Sequence, residues 1–556
     1  MRHEPHILRT LIGVCGALFL AGCGGPATFR MPEPIPDDRR DIPEPAYQKI
    51  YILADGYDKQ VTKPIVRAFD LSRQFRRLFN QPKEAFNTNA FDEVDDSSWF
   101  TNRNAKKRLT LDDIRRGPDT VDGPNVDSKW TVVGAKTEGV TPGFTIKDED
   151  GVRYVIKFDP PDYPELATGA EMVSTKLFWA AGYSTPENYL VYFDPANLVM
   201  GNDVKLKDKT GKKRAMTRED LDYIIDVLQK RPDGTVRAVA SKFLVGKIVG
   251  PFRYYTTRDD DPNDFIPHEH RRELRGLRLI SAWLNHFDTK ANNSLDVYVE
   301  EDGKRFVRHY LIDFGSTLGS EGDEPMTFWR GHETHVDSWV MLKNTLMLGA
   351  RIPEYQYDVD IEYPEIGRIK YHDFNPETYK FIIPNPAFVN MTHRDAFWGT
   401  KVVMSFTDEQ IDAAVEAGGY TNPDAAAFLA DVIKKRRDIV GREYFGKMNS
   451  VDRFSVSTGS DGSAKLTFVD LAVATGVSEA KDKRYEYRIF RDGKTIGEVT
   501  ALTHGDAIPL PSIEDGILDV RVRDMKTDGK WANWVSAYVE LRPNGTYKLI
   551  GIKRHD

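Results

Sequence analysis

Two short polar clusters constrain this chain more than any other feature: His286-Phe287-Asp288-Thr289-Lys290-Ala291-Asn292-Asn293 and, further on, Asp313-Phe314-Gly315. Between them lie two runs, Ser294 to Val299 and Phe306 to Ile312, that read as strands joined at Glu301-Asp302-Gly303. The form is H-x-D-x-K-x-x-N, a strand pair, then D-F-G. Either cluster alone is weak, because such tripeptides arise on many turns. In this order, with a hairpin between them, they are specific. Read only locally, the same residues also suit a buried polar corner, with Asp288 capping a turn and Asp313 in an Asx-turn before Gly315.

The upstream sequence supplies a context. Trp130 to Ala135, Phe144 to Lys147 and Val152 to Phe158 read as three strands, the last two joined by the turn Asp148-Glu149-Asp150-Gly151. Ala167 to Ala181 reads as a helix closed by Gly182. Lys157 ends the third strand and Glu171 lies in the helix, with Glu165 as the second choice for a partner of Lys157. Taken singly, Lys157 suits an exposed strand and Glu171 a solvated helix face. The segment between the first two strands carries Gly134, Lys136, Thr137, Gly139 and Gly143. Its glycines allow backbone N–H groups to approach a phosphate, although a plain hairpin loop fits equally well.

These residues together resemble the protein-kinase-like superfamily. The nearest flavour is the atypical group that includes bacterial spore-coat kinases, secretory-pathway casein kinases and toxin–antitoxin Ser/Thr kinases. The resemblance rests on Tyr154-Val155-Ile156-Lys157, on A-E-M-x-x-x-K-L-F-x-x-A-G-Y-x-x-P from Ala170 to Pro186, and on the two loops above. It implies an α+β, bilobal protein-kinase-like fold and metal-dependent transfer of a phosphoryl group from ATP. It assigns ATP binding to Lys157 paired with Glu171, with Gly134 and Gly139 at the phosphates. It assigns Mg²⁺ or Mn²⁺ binding to Asn293 and Asp313, and the acceptor hydroxyl and the transferring phosphate to Asp288 and Lys290. Two departures stand out: the glycine loop lacks G-x-G-x-x-G, and no A-P-E follows Gly315, so the substrate platform is not that of ordinary protein kinases.

The N-terminus reads as a targeting signal. Arg2 and Arg9 precede the apolar run Leu11 to Leu20, and Leu20-Ala21-Gly22-Cys23 resembles a bacterial lipobox. The expectation is cleavage before Cys23, lipidation of its thiol and, because Gly24 follows it, an outer-membrane position in the cell envelope. Cys15 and Cys23 are the only two cysteines of the 556 residues, so no disulfide is expected in the mature chain. No other segment has the length and apolarity of a membrane span.

The expected order is a signal peptide (1–22), a Pro-rich tether (23–45), an N-terminal extension (46–129), a small lobe (130–250) and a large lobe (251–446). The extension, with helical pieces near Lys63 to Phe79 and the aromatic-polar stretch Asp95 to Arg103, is expected to dock on the small lobe. His268 to Asn285 reads as one helix leading to His286. His332-Glu333-Thr334-His335 has metal-ligand chemistry without a third ligand. Helices are expected after Thr217, Thr407 and Asn422. From Val451 the pattern alternates, with turns at Asp492-Gly493, Asp528-Gly529 and Asn544-Gly545; 451–556 is expected to be an all-β, fibronectin-III-like sandwich.

The net charge of −8 argues against nucleic acid as a partner. The expected partners are a nucleotide, an envelope or protein acceptor, and the membrane through the lipid. Two further readings stay open: a non-catalytic envelope scaffold or adhesion lipoprotein on the same fold, and an adenylyltransferase.

Overall fold

The computed structural model describes residues 29–136, 143–207, 212–347, 353–357, 360–513, 515–526 and 528–555. These fall into two compact units, one of residues 35–88 and 94–444, the other of residues 29–34, 89–93 and 445 onward. The class is mixed α/β.

In the larger unit a seven-stranded sheet is built from Trp130–Lys136 (β1), Gly143–Lys147 (β2), Arg153–Lys157 (β3), Asn188–Phe193 (β4), Leu198–Lys207 (β5), Lys213–Ala215 (β6) and Val236–Lys242 (β7). The order is β4-β7-β3-β2-β1-β5-β6, with β1 and β5 parallel and the other pairs antiparallel. Val132, Phe144, Ile146, Tyr154 and Ile156 fill its core. On β3 the period of two sends Tyr154 and Ile156 into that core and Lys157 to the opposite face. Helix α1 (Leu166–Ala181) ends where expected, at Gly182 with φ +125°. Helix α2 (Arg218–Val227) starts on the Thr217/Asp220 capping box and buries Leu221 and Ile224.

A second sheet, ordered β10-β9-β8, joins Lys247–Gly250 (β8) to the hairpin Ser294–Glu301 (β9) and Lys304–Leu311 (β10). Around it lie α3 (Arg272–Trp283), α4 (His393–Val403), α5 (Asp408–Glu416) and α6 (Pro423–Phe445). Here β8 pairs with β9 and not with the larger sheet, so the change of layer precedes residue 251. The expected helix from His268 to Asn285 is broken. His268 Nε2 bonds the Asp264 carboxylate at 2.6 Å, and Arg271 is extended, so a 3₁₀ turn (His268–His270) precedes α3. Arg272 and Arg275 of α3 are fully buried against Asp395 at 3.1 and 2.9 Å. Such a charge group is tolerated inside only when fully paired.

The N-terminal segments differ most from expectation. Residues 35–45, read from composition as tether, lie against the β9–β10 hairpin. Ile42 is buried with Val249 and Val307, and its N–H donates to the Arg305 carbonyl at 2.8 Å. The Asp38 carboxylate accepts the Ser98 N–H and hydroxyl, each at 2.9 Å. The extension docks on β10 and α4 as well as on the turn that ends α1: Trp99 stacks on His309 of β10 with ring centres 3.4 Å apart, while Phe100 meets Tyr183 and Trp398 of α4. Polar, proline-rich composition did not reveal this, because each docked apolar residue is isolated in sequence.

Beyond residue 450 the smaller unit is built mainly of strands, but it is not all-β as expected: a short helix (Leu471–Ala474), started by Asp470 accepting from the Ala472 and Val473 N–H groups, and a 3₁₀ turn (Ala480–Asp482) lie between its sheets' strands in sequence. Val451–Thr458 (β11), Ala464–Asp470 (β12) and Ile508–Leu510 (β15) make one sheet. Tyr485–Arg491 (β13), Lys494–Leu502 (β14), Ile517–Asp524 (β16), Val535–Leu541 (β17) and Tyr547–Arg554 (β18) make the other, in the order β14-β13-β16-β17-β18. Val451, Leu466 and Ile508 from the first sheet share one core with Ile489, Val520 and Ala537 from the second. Asp492 and Gly493 turn the β13–β14 hairpin with φ +49° and +72°. Among the described residues no helix is long and apolar enough to cross a membrane.

Trp99 is buried and fills the space between extension and hairpin. Trp99→Ala should therefore destabilise the larger unit by about 3–5 kcal/mol, measured by urea denaturation.

Candidate active site

The site is built from β3, α1 and the two ends of the β9–β10 hairpin. The Lys157 ammonium lies 3.0 Å from Glu171 Oε1 and 3.2 Å from Asp313 Oδ1. Glu171 is only 2% exposed, so its charge needs partners inside the protein. Lys157 is one; the other is Asn188 of β4, whose Nδ2 donates to Glu171 Oε1 at 3.1 Å and to Thr175 Oγ1 at 2.8 Å. Burial pulls the Lys157 pKa down, but Glu171 and Asp313 together more than reverse this and hold it above the ordinary lysine range. Asp313 has φ +66°, a left-handed conformation that aspartate tolerates better than most residues.

The His286–Asn293 loop forms a second cluster. Lys290 Nζ donates to Asp288 Oδ2 at 2.8 Å. Asn293 Nδ2 donates to the Asp288 carbonyl at 2.8 Å and to Oδ2 at 3.1 Å. One face of the Asp288 carboxylate is thus fixed, while Oδ1 is buried and accepts no hydrogen bond from any of the described residues. The imidazole of His286 lies under the loop, edge-on to Phe178 of α1 and tilted against Phe314. Burial pulls its pKa below the ordinary histidine range, against a smaller upward pull from Asp288. Phe314 stacks on Phe178 at 4.8 Å, so the D-F-G segment is packed against the helix that carries Glu171.

The hairpin register joins the two clusters. Ser294 pairs with Leu311, and the Ile312 N–H donates to the Asn293 carbonyl at 3.1 Å, one residue before Asp313. Lys157, Glu171 and Asp313 therefore meet directly, as do Asp288, Lys290 and Asn293. The Asn293 amide hydrogens bond Asp288. Glu165 does not serve Lys157; its Oε2 accepts the Thr421 N–H at 2.9 Å. Gly134 sits within β1 opposite Thr145, while Thr137, Gly139 and Cys23 lie outside the described residues. His332 pairs with Asp373 at 3.2 Å and stacks on Tyr355. Among the described residues no three His, Cys, Asp or Glu side chains are grouped to hold a metal, there or elsewhere.

Sequence reasoning missed the support beneath Glu171. Lys176 of α1 is buried and pairs with Asp119 of the extension. Asp119 Oδ1 in turn accepts the backbone N–H of Asn188 at 3.1 Å. Burial lifts the Asp119 carboxyl to about 6 despite Lys176, and lowers Lys176 despite Asp119. Only the placement of β4 brings Asp119, Asn188 and Glu171 together; no local spacing signals it.

No protein-family model and no curated protein matches the sequence. Among solved structures, a proinflammatory kinase of Helicobacter pylori, CtkA, aligns at 13% identity and a TM-score of 0.28, covering 56% of this chain and 96% of its own. A Golgi casein kinase aligns at 9% identity and a TM-score of 0.28, covering 74% of this chain and 93% of its own. Its Mn/ADP-bound form aligns at 9% and 0.27, covering 68% and 87%.

Asp119 has a folded pKa of about 6, above its ordinary 3.8, so the native chain keeps a proton that the unfolded chain has released. Its contribution to stability is full below about pH 4 and is lost as pH rises from about 4 to about 6. Asp119→Asn removes that dependence. Between about pH 4 and 6 the wild type should lose about 2–3 kcal/mol relative to the variant, measured by urea denaturation across that range.

Proposed function

We propose that the larger unit is a kinase-like phosphotransferase that moves a phosphoryl group from ATP to an acceptor hydroxyl. The observation that carries this reading is the Lys157 ammonium held between the buried Glu171 and the D-F-G carboxylate of Asp313. A lysine fixed by two carboxylates is pre-oriented and stays cationic, which suits it to the α- and β-phosphates of a nucleotide. Asp288, held on its Oδ2 side by Lys290 and Asn293, is the loop carboxylate that would take the acceptor's proton. In the transfer the acceptor oxygen bonds to the γ-phosphorus, the bond from that phosphorus to the bridging oxygen breaks, and ADP leaves. The Lys290 ammonium offers charge to the transferring group.

Asp313 and Asn293 supply hard oxygen donors and no sulfur or imidazole, a donor set that fits Mg²⁺ or Mn²⁺. Since no cage of three ligands occurs among the described residues, these two residues would hold an ion completed by phosphate oxygens and water. Such an ion neutralises phosphate charge when bound. We further read the smaller unit as fibronectin-III-like with β18 as an added edge strand. The chain would be anchored in the outer membrane by lipid on Cys23, a reading supported by the lipobox-like Leu20-Ala21-Gly22-Cys23.

Nucleotide binding should require Mg²⁺ or Mn²⁺ and be lost in Asp313→Ala. Asp288→Asn should keep binding and lower transfer by about 10²- to 10⁴-fold, with calorimetry reading the first effect and γ-labelled ATP the second. Label transferred from α-labelled ATP in place of γ would make the reaction nucleotidyl transfer, and equal, metal-independent behaviour of all three proteins would remove the catalytic reading. For the anchor, Cys23→Ser should abolish palmitate incorporation and leave an unprocessed precursor; palmitate labelling of that variant at the wild-type level would refute it.

A further inference from the structure

The segment from Ile52 to Phe79 carries its chemistry the wrong way round for a surface helix of a soluble body. It runs as Ile52–Tyr57, a π-helical turn Asp58–Thr62, Lys63–Phe69 and Leu71–Leu78. In the last helix Leu71, Phe75 and Leu78 recur at i, i+4 and i+7, while Arg73, Arg76 and Arg77 occupy the other side. Such a stripe normally turns to the core, yet no residue of this helix is buried. Leu53 is 90% exposed, Phe69 79%, Leu71 71% and Leu78 75%. The polar side instead faces the body. Arg73 Nη1 donates to Asn390 Oδ1 at 2.9 Å, and the Lys63 ammonium lies 3.8 Å from the centre of the Tyr255 ring.

The arginines of this segment outnumber the carboxylates near them, of which Asp70 and Glu269 line the same cavity as the arginines. Arg67, Arg73, Arg76 and Arg77 line one open cavity, and among the described residues none of the four makes an ion pair with a carboxylate. From Ile52 to Lys83 there are seven Lys or Arg and three Asp, in a chain whose net charge is −8. Exposed apolar side chains beside excess arginines complement an anionic lipid surface, where acyl chains take the first and headgroup phosphates the second. A second copy of this chain would instead bring the same arginines against each other across a two-fold interface.

We propose that Ile52–Phe79 is a membrane-surface element that seats Leu71, Phe75 and Leu78 in an anionic leaflet with Arg76 and Arg77, which flank the apolar stripe, at headgroup level. The proposal depends neither on lipid at Cys23 nor on phosphoryl transfer. The element also touches the site region: Gln60 Nε2 donates to the Ile382 carbonyl at 3.5 Å, and the Ile382 N–H donates to the carbonyl of Phe287 at 3.1 Å.

The test is vesicle flotation of the chain from Gly24 onward, which keeps every described residue and has no lipidatable cysteine. Vesicles of phosphatidylcholine alone are compared with phosphatidylcholine mixed with phosphatidylglycerol. Wild type should float with the anionic vesicles and be released as salt is raised. Arg76→Ala with Arg77→Ala, and separately Phe75→Ser with Leu78→Ser, should each weaken that binding by about tenfold or more while circular dichroism stays unchanged. A Leu71→Trp variant, otherwise intact, should show indole quenching by nitroxide-labelled anionic vesicles. Absence of wild-type flotation, binding unaltered in both double variants, or an unquenched Leu71→Trp indole overturns the proposal. So does a dimer, detected by sedimentation, that Phe75→Ser dissolves.

Discussion

The site depends on one ammonium group. Lys157 leaves the sheet on the face opposite the core and is met by a carboxylate from α1 and a carboxylate from the loop after β10. Glu171 is deeply buried, so the cation beside it offsets the cost of removing its carboxylate from water, and Asp313 is exposed and held in a left-handed conformation. Each group therefore explains the position of the others. The three come from a strand, a helix and a loop, so the arrangement fixes the sheet against the helix and both against the hairpin.

Around this centre the polar contacts run in series. Asp119 of the extension holds Lys176 and the backbone of Asn188, and the Asn188 side chain holds Glu171. On the other side the Asn293 amide and Lys290 fix Asp288. Buried polar networks of this kind impose geometry more than they add stability, since each member is costly when it loses its partner. The extension is thus part of the frame that orients α1. Phe314, stacked on Phe178 of the same helix, gives that frame an apolar counterpart.

Much of the fold was legible in the sequence for local reasons. The strands β1, β2 and β3 follow from apolar alternation, α1 from its run closed by Gly182, and α5 from Thr407 with Gln410, whose capping box is present. The Asp-Gly and Asn-Gly turns set the C-terminal strands. Where expectation and structure part, a tertiary partner decides. His268 bonds Asp264 and breaks a helix that periodicity made continuous. Ile42 and Asp38 find the hairpin and Ser98, so a stretch with tether composition is docked. The apolar stripe of Leu71–Leu78 faces outward, although periodicity alone would turn it to the core.

The sequence by itself determined which candidate residues stand on which elements and in what order: Lys157 on a strand, Glu171 on a helix, Asp288, Lys290 and Asn293 in a loop, and Asp313 beyond a hairpin. Those assignments rest on nearest-neighbour regularities, which a one-dimensional pattern records. The tertiary structure alone decided that Glu171 and not Glu165 takes Lys157, that Asn188 and Asp119 stand behind it, and that Asn293 bonds Asp288. These choices are made by the order of strands in the sheet and by the cost of burying an unpaired charge, and neither leaves a mark at fixed spacing along the chain.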